Sequence, residues 1–509
     1  MGSFVLRTFG AAALPMVVLL TIALGGVDFG RYWDDEAMAS KVQRAIGPPL
    51  TLLPYAYDYP GVSFWMALAA IGPEARHSGL LRQAAADPSE LRAFLQSRTY
   101  YIRARVIFAV VSSLVVVWVS ALSLALGAAC WEAALAAALL ATSWEVAYHV
   151  RWIAPDGVMM QFIALAALCA VMSLGPGPRR FWLVPGSVAA GLATASKYSG
   201  WPMVVCVALA GWLSAPVETT IRQRATTTVQ LGLASVAAFL VVSPGTLLQP
   251  VLAAGAIRAQ VNHYANGHGV YTVVRGVDHL ERMMGYLTLV LPSPYAAVAL
   301  VSTAAALFGA YALTRSSPRI ALVLLGFPLC YIAYFAIQRV MVVRNLIVLA
   351  PFGAVLAARG LGAAWSATRD RGLTPLRVAL VTGAVAALAL DLSFNASAVD
   401  GIRRRNPQRT LDEFSAWLAA QPSGSVELSD RLQQELGRHD ASSASGEPDV
   451  AMYALDAKHQ GIRPNERTLF KCVFGPREVN LNYYSDWIGD EHIVVLTRRQ
   501  AVRFGVVDR

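Results

Sequence analysis

The stretch Phe9–Ala37 reads FGAAALPMVVLLTIALGGVDFGRYWDDEA. Phe9 to Val27 carries no charge and is long enough to cross the roughly 30 Å hydrocarbon core of a bilayer as a helix. It lacks a small-x-small cleavage pattern before Asp28, and many similar runs follow it, so it reads as a retained anchor and not as a signal peptide. Asp34, Asp35 and Glu36 come directly after it, where lipid headgroups meet water. Carboxylates in that setting are solvated enough to ionise, yet they can reach a reactive group carried on a lipid.

Working outward, the same kind of apolar run recurs along the chain. Of 509 residues, 56% are hydrophobic and 15% charged, and the mean hydropathy is +0.48. That is more apolar surface than a soluble core of this size uses. The expected fold is mainly α, a polytopic membrane helix bundle of about eleven spans at the roughly 20 residues each that a bilayer requires. They fall near Phe9–Val27, Val106–Ala129, Ala133–Tyr148, Gly157–Leu174, Phe181–Ser196, Tyr198–Val217, Thr226–Pro244, Pro294–Thr314, Ile320–Ile337, Val340–Ala358 and Arg377–Ser393. The third is short between Glu132 and Glu145, and Asp391 interrupts the last.

The net charge of +10 is spread between apolar spans and forms no stripe interleaved with aromatics. Anionic membrane lipid is therefore the expected partner, and nucleic acid is excluded. Cys130, Cys169, Cys206, Cys330 and Cys472 make neither a disulfide framework nor a metal-ligand spacing.

Orientation follows from Lys and Arg in short loops. With the N-terminus inside, the inner loops hold Arg179 and Arg180, Arg222 and Arg224, Arg315 and Arg319, and then Arg359, Arg369, Arg371 and Arg377. The acidic cluster, the Gly245–Arg282 loop and everything after Asn395 then lie outside. In the first external loop Met38, Val42, Ala45 and Ile46 recur at helical spacing, which predicts an interfacial amphipathic helix over Asp34–Ile46 with its acids in the first turn. Gly47-Pro48-Pro49 ends it, Val62–Ile71 reads as a second interfacial helix, and Ser78–Ser97 reads as helical. Residues 1–395 are expected to form the membrane domain. Residues 396–509 are expected to form a small external α/β domain, with a helix over Leu411–Leu418, strands at Val426–Leu428 and Ile493–Leu496, and a mobile loop over Asp440–Asp449.

Asp34, Asp35, Glu36, Asp58, His149, Arg151, Asp156, Lys197, Arg339 and Arg344 all fall at the outer ends of spans. Each alone is readable as an interfacial anchor, Asp156 as a helix cap and Lys197 as a snorkelling chain. Anchors are expected at both ends of a bundle. Grouping at one end, in a setting where burying charge is costly, points to one site.

Several of these residues lie in short motifs: Asp35-Glu36-Ala37, Tyr57-Asp58-Tyr59-Pro60-Gly61, Arg151 with Pro155-Asp156, Gly191-Leu192-Ala193 before Lys197-Tyr198-Ser199-Gly200, and Arg344-Asn345 before Pro351. In order and topology they resemble the GT-C glycosyltransferases. More narrowly, they are similar to the branch holding protein O-mannosyltransferases, lipid A aminoarabinose transferases and rhizobial lipid A galacturonosyltransferases. The likeness covers roughly Phe9 to Ala358 and departs from the pattern at Asp34, an extra acid, and at Gly61, where a second proline is common.

The resemblance implies an integral inner-membrane enzyme that moves a sugar, with inversion, from a polyprenyl-phosphate donor to a hydroxyl of a lipid, glycan or protein acceptor on the outer face. It implies Asp35 as the base, with Asp34 and Glu36 binding sugar or acceptor or tuning that base. Arg344 and Lys197 would meet the leaving phosphate, Arg344 being read as a guanidinium with no acidic neighbour in sequence. Asp58, Tyr59, Arg151, Asp156 and Tyr198 complete the expected substrate contacts. His263 and Arg275, in a glycine-bearing second loop, are expected on a mobile lid over donor or acceptor. Glu145 and His149, four apart beside Arg151, are read either as orienting one another or as a purely structural network.

The spacing of His263, His268 and His279 fits no metal signature. No cofactor is indicated beyond the lipid-linked donor, although a divalent metal is compatible with the acids. The competing class is a transporter or lipid flippase, which would place charges at the bilayer midplane and break helices in corresponding halves.

Overall fold

A computed structural model describes residues 2–28, 33–47, 50–77, 79, 88–175, 180–268, 271–370, 374–404 and 407–422, with shorter stretches between 425 and 499. The chain forms two units, residues 1–27 with 33–395, and residues 28–32 with 396–509.

Among the described residues eight helices are long and apolar enough to cross a membrane: Gly2–Gly25, Arg98–Ala125, Pro155–Ser173, Ile221–Val242, Ala296–Ser316, Pro318–Ala336, Val343–Thr368 and Thr374–Asp400. The other three expected spans fall on helices of 12 to 14 residues, Cys130–Thr142, Leu183–Ser196 and Pro202–Leu213. The first two of these stop early because the chain must present a polar residue. Ser143 ends the first and caps the helix Trp144–His149 by accepting from the Val146 amide at 3.4 Å. Lys197 ends the second in an extended conformation.

Pro155–Ser173 is the central helix and is buried along most of its length. Gly309 and Gly360 let their two helices touch backbone to backbone, since a Cβ at either position would stand within 2.0 Å of the other helix's carbonyl oxygen. Bilayer helices without a hydrophobic drive between them associate through such close approaches. The last helix is the opposite case, almost wholly exposed to its surroundings. It is pinned toward its C-terminal end, where the Ser293 hydroxyl donates to Asp391 Oδ1 at 2.6 Å and Asn395 Nδ2 donates to the Thr142 carbonyl at 2.7 Å.

Both long loops have described helices and strands of backbone that pack against the bundle. The helix Trp33–Ile46 buries Met38, Ala39, Val42, Ala45 and Ile46 against Phe64, Ala67, Tyr100 and Phe108. The stripe read from the sequence is therefore covered by protein. The second loop is helical over Pro250–Asn266 and Val277–Leu289. It was expected to be a mobile lid, but Val273 N bonds Arg339 O (2.8 Å), Gly276 N bonds Ala336 O (2.7 Å), and Met341 N bonds Tyr271 O (2.9 Å). A bridge between Thr272 and Val340 completes the seam. Backbone groups satisfied in this way hold a segment down.

The second unit contains the helix Pro407–Ala419 and a four-stranded sheet of β1 (Val426–Leu428), β2 (Asp449–Tyr453), β3 (Thr468–Phe470) and β4 (Ile493–Leu496). The strand order is β1-β2-β4-β3, with β1 and β2 parallel and the other pairs antiparallel. Phe414 from the helix packs with Leu432, Ala451, Ile493 and Val495. Apart from Asp449, which opens β2, the expected mobile loop lies outside the described residues.

Candidate active site

The acidic stretch opens the helix Trp33–Ile46, where the positive end of the helix dipole favours acids. Asp35 is fully buried, and its Oδ2 accepts from Arg105 Nη2. Arg105 also donates through Nη1 to the Val27 carbonyl at 3.1 Å, so one guanidinium joins the first span to the acidic helix. The expected solvated carboxylate at position 35 is thus corrected. The side chain faces the interior because Met38, Val42 and Ala45 on the same helix do. Glu36, one residue around the turn, is exposed. The side chain of Asp34 lies outside the described residues.

A second charged group gathers three distant segments. Asp156 lies in the first turn of the central helix, and its Oδ1 accepts from Lys197 Nζ at 2.7 Å. Its Oδ2 lies 3.5 Å from Arg344 Nε. Lys197 also donates to Asn345 Oδ1 at 2.5 Å, Asn345 Nδ2 donates to the Tyr264 hydroxyl at 3.1 Å, and the Tyr331 hydroxyl donates to the Asn345 carbonyl at 2.8 Å. All four of Asp156, Lys197, Arg344 and Asn345 are buried. Arg344, expected without an acidic neighbour, has Asp156 as its counter-ion, across a gap in sequence that local reading does not bridge.

Tyr59 links this group to the first external loop. Arg344 Nη2 donates to its hydroxyl at 3.3 Å, and the Nζ atoms of Lys41 and Lys197 lie 5.0 and 6.0 Å from its ring centroid. Lys41 also pairs with Asp58 Oδ1 at 2.7 Å. Three cations, Lys41, Lys197 and Arg344, therefore meet two carboxylates, Asp58 and Asp156, around one ring. Clustered, preorganised cations of this kind suit the binding of an anion such as a phosphate.

The loop is braced to keep Tyr59 there. Tyr198 donates to the Tyr57 carbonyl at 2.8 Å, and Tyr57 donates to Gln249 Oε1 at 2.5 Å. The Gly61 amide bonds Ser243 Oγ at 2.9 Å, and Trp65 Nε1 bonds the Val242 carbonyl at 2.7 Å. A Cβ at Gly61 would stand 2.0 Å from that carbonyl oxygen. The glycine that departs from the family pattern is therefore required by this contact. Leu52 and Tyr55 hold left-handed backbone, at φ 56° and 52°, which costs about 1–3 kcal/mol each and persists only where surroundings impose it.

The remaining candidates divide. Arg151 is buried but points elsewhere, donating to the Gly26 carbonyl at 2.8 Å and stacking at 5.4 Å over both Trp144 and Tyr148. His149 bonds the Glu145 backbone carbonyl at 2.7 Å, while the Glu145 carboxylate accepts from the Tyr286 hydroxyl at 2.6 Å. The trio is thus a buried structural network, with His149 tied to Glu145 and Arg151 to Gly26. Burial pushes the His149 imidazole down to about 4, and the Arg344 and Arg151 charges add to that effect. His263 is half-buried with its ring 4.5 Å from His268, and burial, His268 and Lys197 all depress its basicity. Arg275 and Arg339 are exposed. Among the described residues no group of three or more His, Cys, Asp or Glu could hold a metal ion.

Sequence reading missed Lys41, Arg105 and Tyr264. Lys41 carried a usable signal: it is a lysine on the apolar face of an amphipathic helix, three residues after Met38 and four before Ala45. Arg105 carried one too, lying inside the helix Arg98–Ser113 and not at its flank.

This arrangement, a helical bundle with charged groups buried where its helices break, shares its fold with membrane proteins of solved structure, and the chain is a multi-pass membrane protein. The chain is similar in structure to ArnT from Cupriavidus metallidurans in the apo state, with a TM-score of 0.52 at 14% identity over 96% of this chain and 98% of that one. It is also similar to ArnT from the same organism bound to undecaprenyl phosphate, at 0.50 and 13% over 96% and 97%. Archaeoglobus fulgidus oligosaccharyltransferase in the apo form gives 0.50 at 12%, covering 82% of this chain and 58% of that one. No family model matches the sequence, and no curated protein matches it.

Proposed function

We propose that this protein is an inverting glycosyltransferase of the cell membrane that moves a sugar from a polyprenyl-phosphate donor to a hydroxyl of a lipid, glycan or protein acceptor on the outer face. The observation that carries the reading is the gathering of three buried cations, Lys41, Lys197 and Arg344, around Tyr59. A fold shared with an ArnT that binds undecaprenyl phosphate supports it.

Lys197 and Arg344 receive the donor phosphate, and Asp156 holds both aimed before the donor arrives. Preorganised cations stabilise the charge that grows on the leaving phosphate without reorganising during the reaction. Tyr59 and Tyr198 form the wall beside the sugar, and His263 and Arg275 line the approach from the second loop. Asp34, Glu36 and Asp58 supply the carboxylates, of which one takes the acceptor proton. The active side faces outward on this reading, which the Lys and Arg of the loops assigned to the inside support.

The test is donor binding with undecaprenyl phosphate and transfer from undecaprenyl-phosphate sugars by Arg344→Ala and Arg344→Lys. Losing a charge-assisted contact worth about 1.5–3 kcal/mol lowers affinity and transfer together by about 10- to 100-fold in Arg344→Ala. Arg344→Lys recovers part of both, because the planar fork is lost. Unchanged affinity in Arg344→Ala reduces the residue to an anchor and removes the main support for the reading.

A further inference from the structure

The proposed transfer needs a carboxylate that touches the acceptor hydroxyl, and the charged groups around Tyr59 differ in which of them a substrate can reach. The side chains of Asp35 and Asp156 are 0% and 2% exposed, and each is engaged by buried cations. Asp58 is 38% exposed at its side chain. It is held at 2.7 Å by Lys41, which is itself buried at 3%. The next residue, Tyr59, touches Arg344 and lies beside Lys197, so Asp58 stands one residue from the cations assigned to the phosphate. The Tyr198 hydroxyl, the Gly61 amide and Trp65 hold the two sides of this segment. A base must be both positioned and open to its substrate.

We propose that Asp58, and not Asp35, is the catalytic base of the transfer, with Lys41 as its positioning residue and Asp35–Arg105 as a structural pair. This rests on the glycosyltransferase reading above. The acceptor oxygen attacks the anomeric carbon of the donor, and the bond from that carbon to the phosphate oxygen breaks. The electron pair leaves with the phosphate, between Lys197 and Arg344. The hydroxyl proton passes to the Asp58 carboxylate, which becomes a carboxylic acid and returns the proton to water. The products are the glycosylated acceptor and polyprenyl phosphate, with configuration inverted.

The test uses the full chain in nanodiscs with a panel of undecaprenyl-phosphate-linked hexoses, pentoses and hexuronic acids, and membrane lipid extract as acceptor. Asp58→Asn is expected to bind undecaprenyl phosphate as the parent does while losing transfer by about 10²–10⁴-fold. Sodium azide, a nucleophile with no proton to give up, then restores turnover as a glycosyl azide. Asp35→Asn is expected to lose thermal stability but to keep transfer per folded molecule. The double change Asp35→Asn with Arg105→Gln should regain the stability. An active parent whose Asp58→Asn variant transfers at close to the parental rate overturns the assignment alone, as does a folded, inactive Asp35→Asn that azide rescues. A parent that turns over no donor in the panel overturns the glycosyltransferase reading and the assignment with it.

Discussion

The Asp35–Arg105 pair and the Asp156–Lys197–Arg344 group are both buried, and both join segments far apart in the chain. They differ in balance. One carboxylate meets one guanidinium in the first, while in the second one carboxylate faces two cations. Taking charge out of water is costly either way, and a balanced pair recovers most of that cost in its own contact. The second group sets two cations side by side, a geometry suited to an anion, and it adjoins a partly open residue, Asp58, through Tyr59. Clustered cations beside an opening, more than burial, are what separate a binding site from a brace.

Asp156→Asn attacks the unbalanced group and has the largest expected effect. It leaves Lys197 and Arg344 buried without their carboxylate, a loss of about 3–5 kcal/mol, and transfer disappears with it. Thermal unfolding and undecaprenyl-phosphate binding measured together check this, and an intact, active Asp156→Asn would erase the distinction drawn here. Adding Lys197→Gln to it should recover stability but not transfer.

The same pairing of changes at the balanced site sharpens the contrast. Asp35→Asn alone costs about 3–5 kcal/mol by stranding Arg105, while a double variant with Arg105→Gln returns most of it and leaves transfer intact. A double-mutant cycle on unfolding free energy reads the coupling directly.

Gly61→Ala tests whether the brace around Tyr59 matters without touching any charge. The new methyl meets the Val242 carbonyl, and the backbone shift costs about 1–3 kcal/mol. Donor affinity should fall as Tyr59 moves, and a crystal or cryo-EM structure of the variant would show the displacement.

The smallest effect concerns His263, whose basicity in the folded state lies below its ordinary value of 6.5. Burial, His268 and Lys197 disfavour its cation, so the folded protein binds this proton less readily than the unfolded chain does. That penalty is absent above the ordinary value and grows as pH falls through it. His263→Gln should therefore flatten the decline of thermal stability between neutral and mildly acidic pH, and parallel unfolding scans across that range check it.

The bundle was legible because bilayer helices need long apolar runs, and every expected span lies on a helix. Three run short where the chain presents Ser143, Lys197 or a proline-led turn, and hydropathy averages across such breaks. Asp156, Lys197 and Arg344 could be placed in one site because each is expensive at a span's outer end. Their pairing was hidden, since nothing local tells Arg344 that Asp156 will fold beside it. Asp35 misled for the converse reason. Its sequence neighbours place it in a headgroup region, but the stripe of Met38, Val42 and Ala45 turns that face of the helix inward, and Asp35 with it. Lys41 shows the same stripe carrying a cation inside.

The polar pin on the last helix has a consequence for how the protein is made. Asp391 enters a lone apolar segment at a cost of about 2.5–3.5 kcal/mol on translocon insertion scales. Its acceptor site is occupied by the Ser293 hydroxyl, synthesised 98 residues earlier. Asn395 finds its carbonyl partner, Thr142, earlier still. The final segment is thus a poor passenger on its own and a good one once the preceding helices have assembled beside the ribosome's exit route. Integration of this chain becomes sequential, with the last crossing completed only after the earlier ones have met.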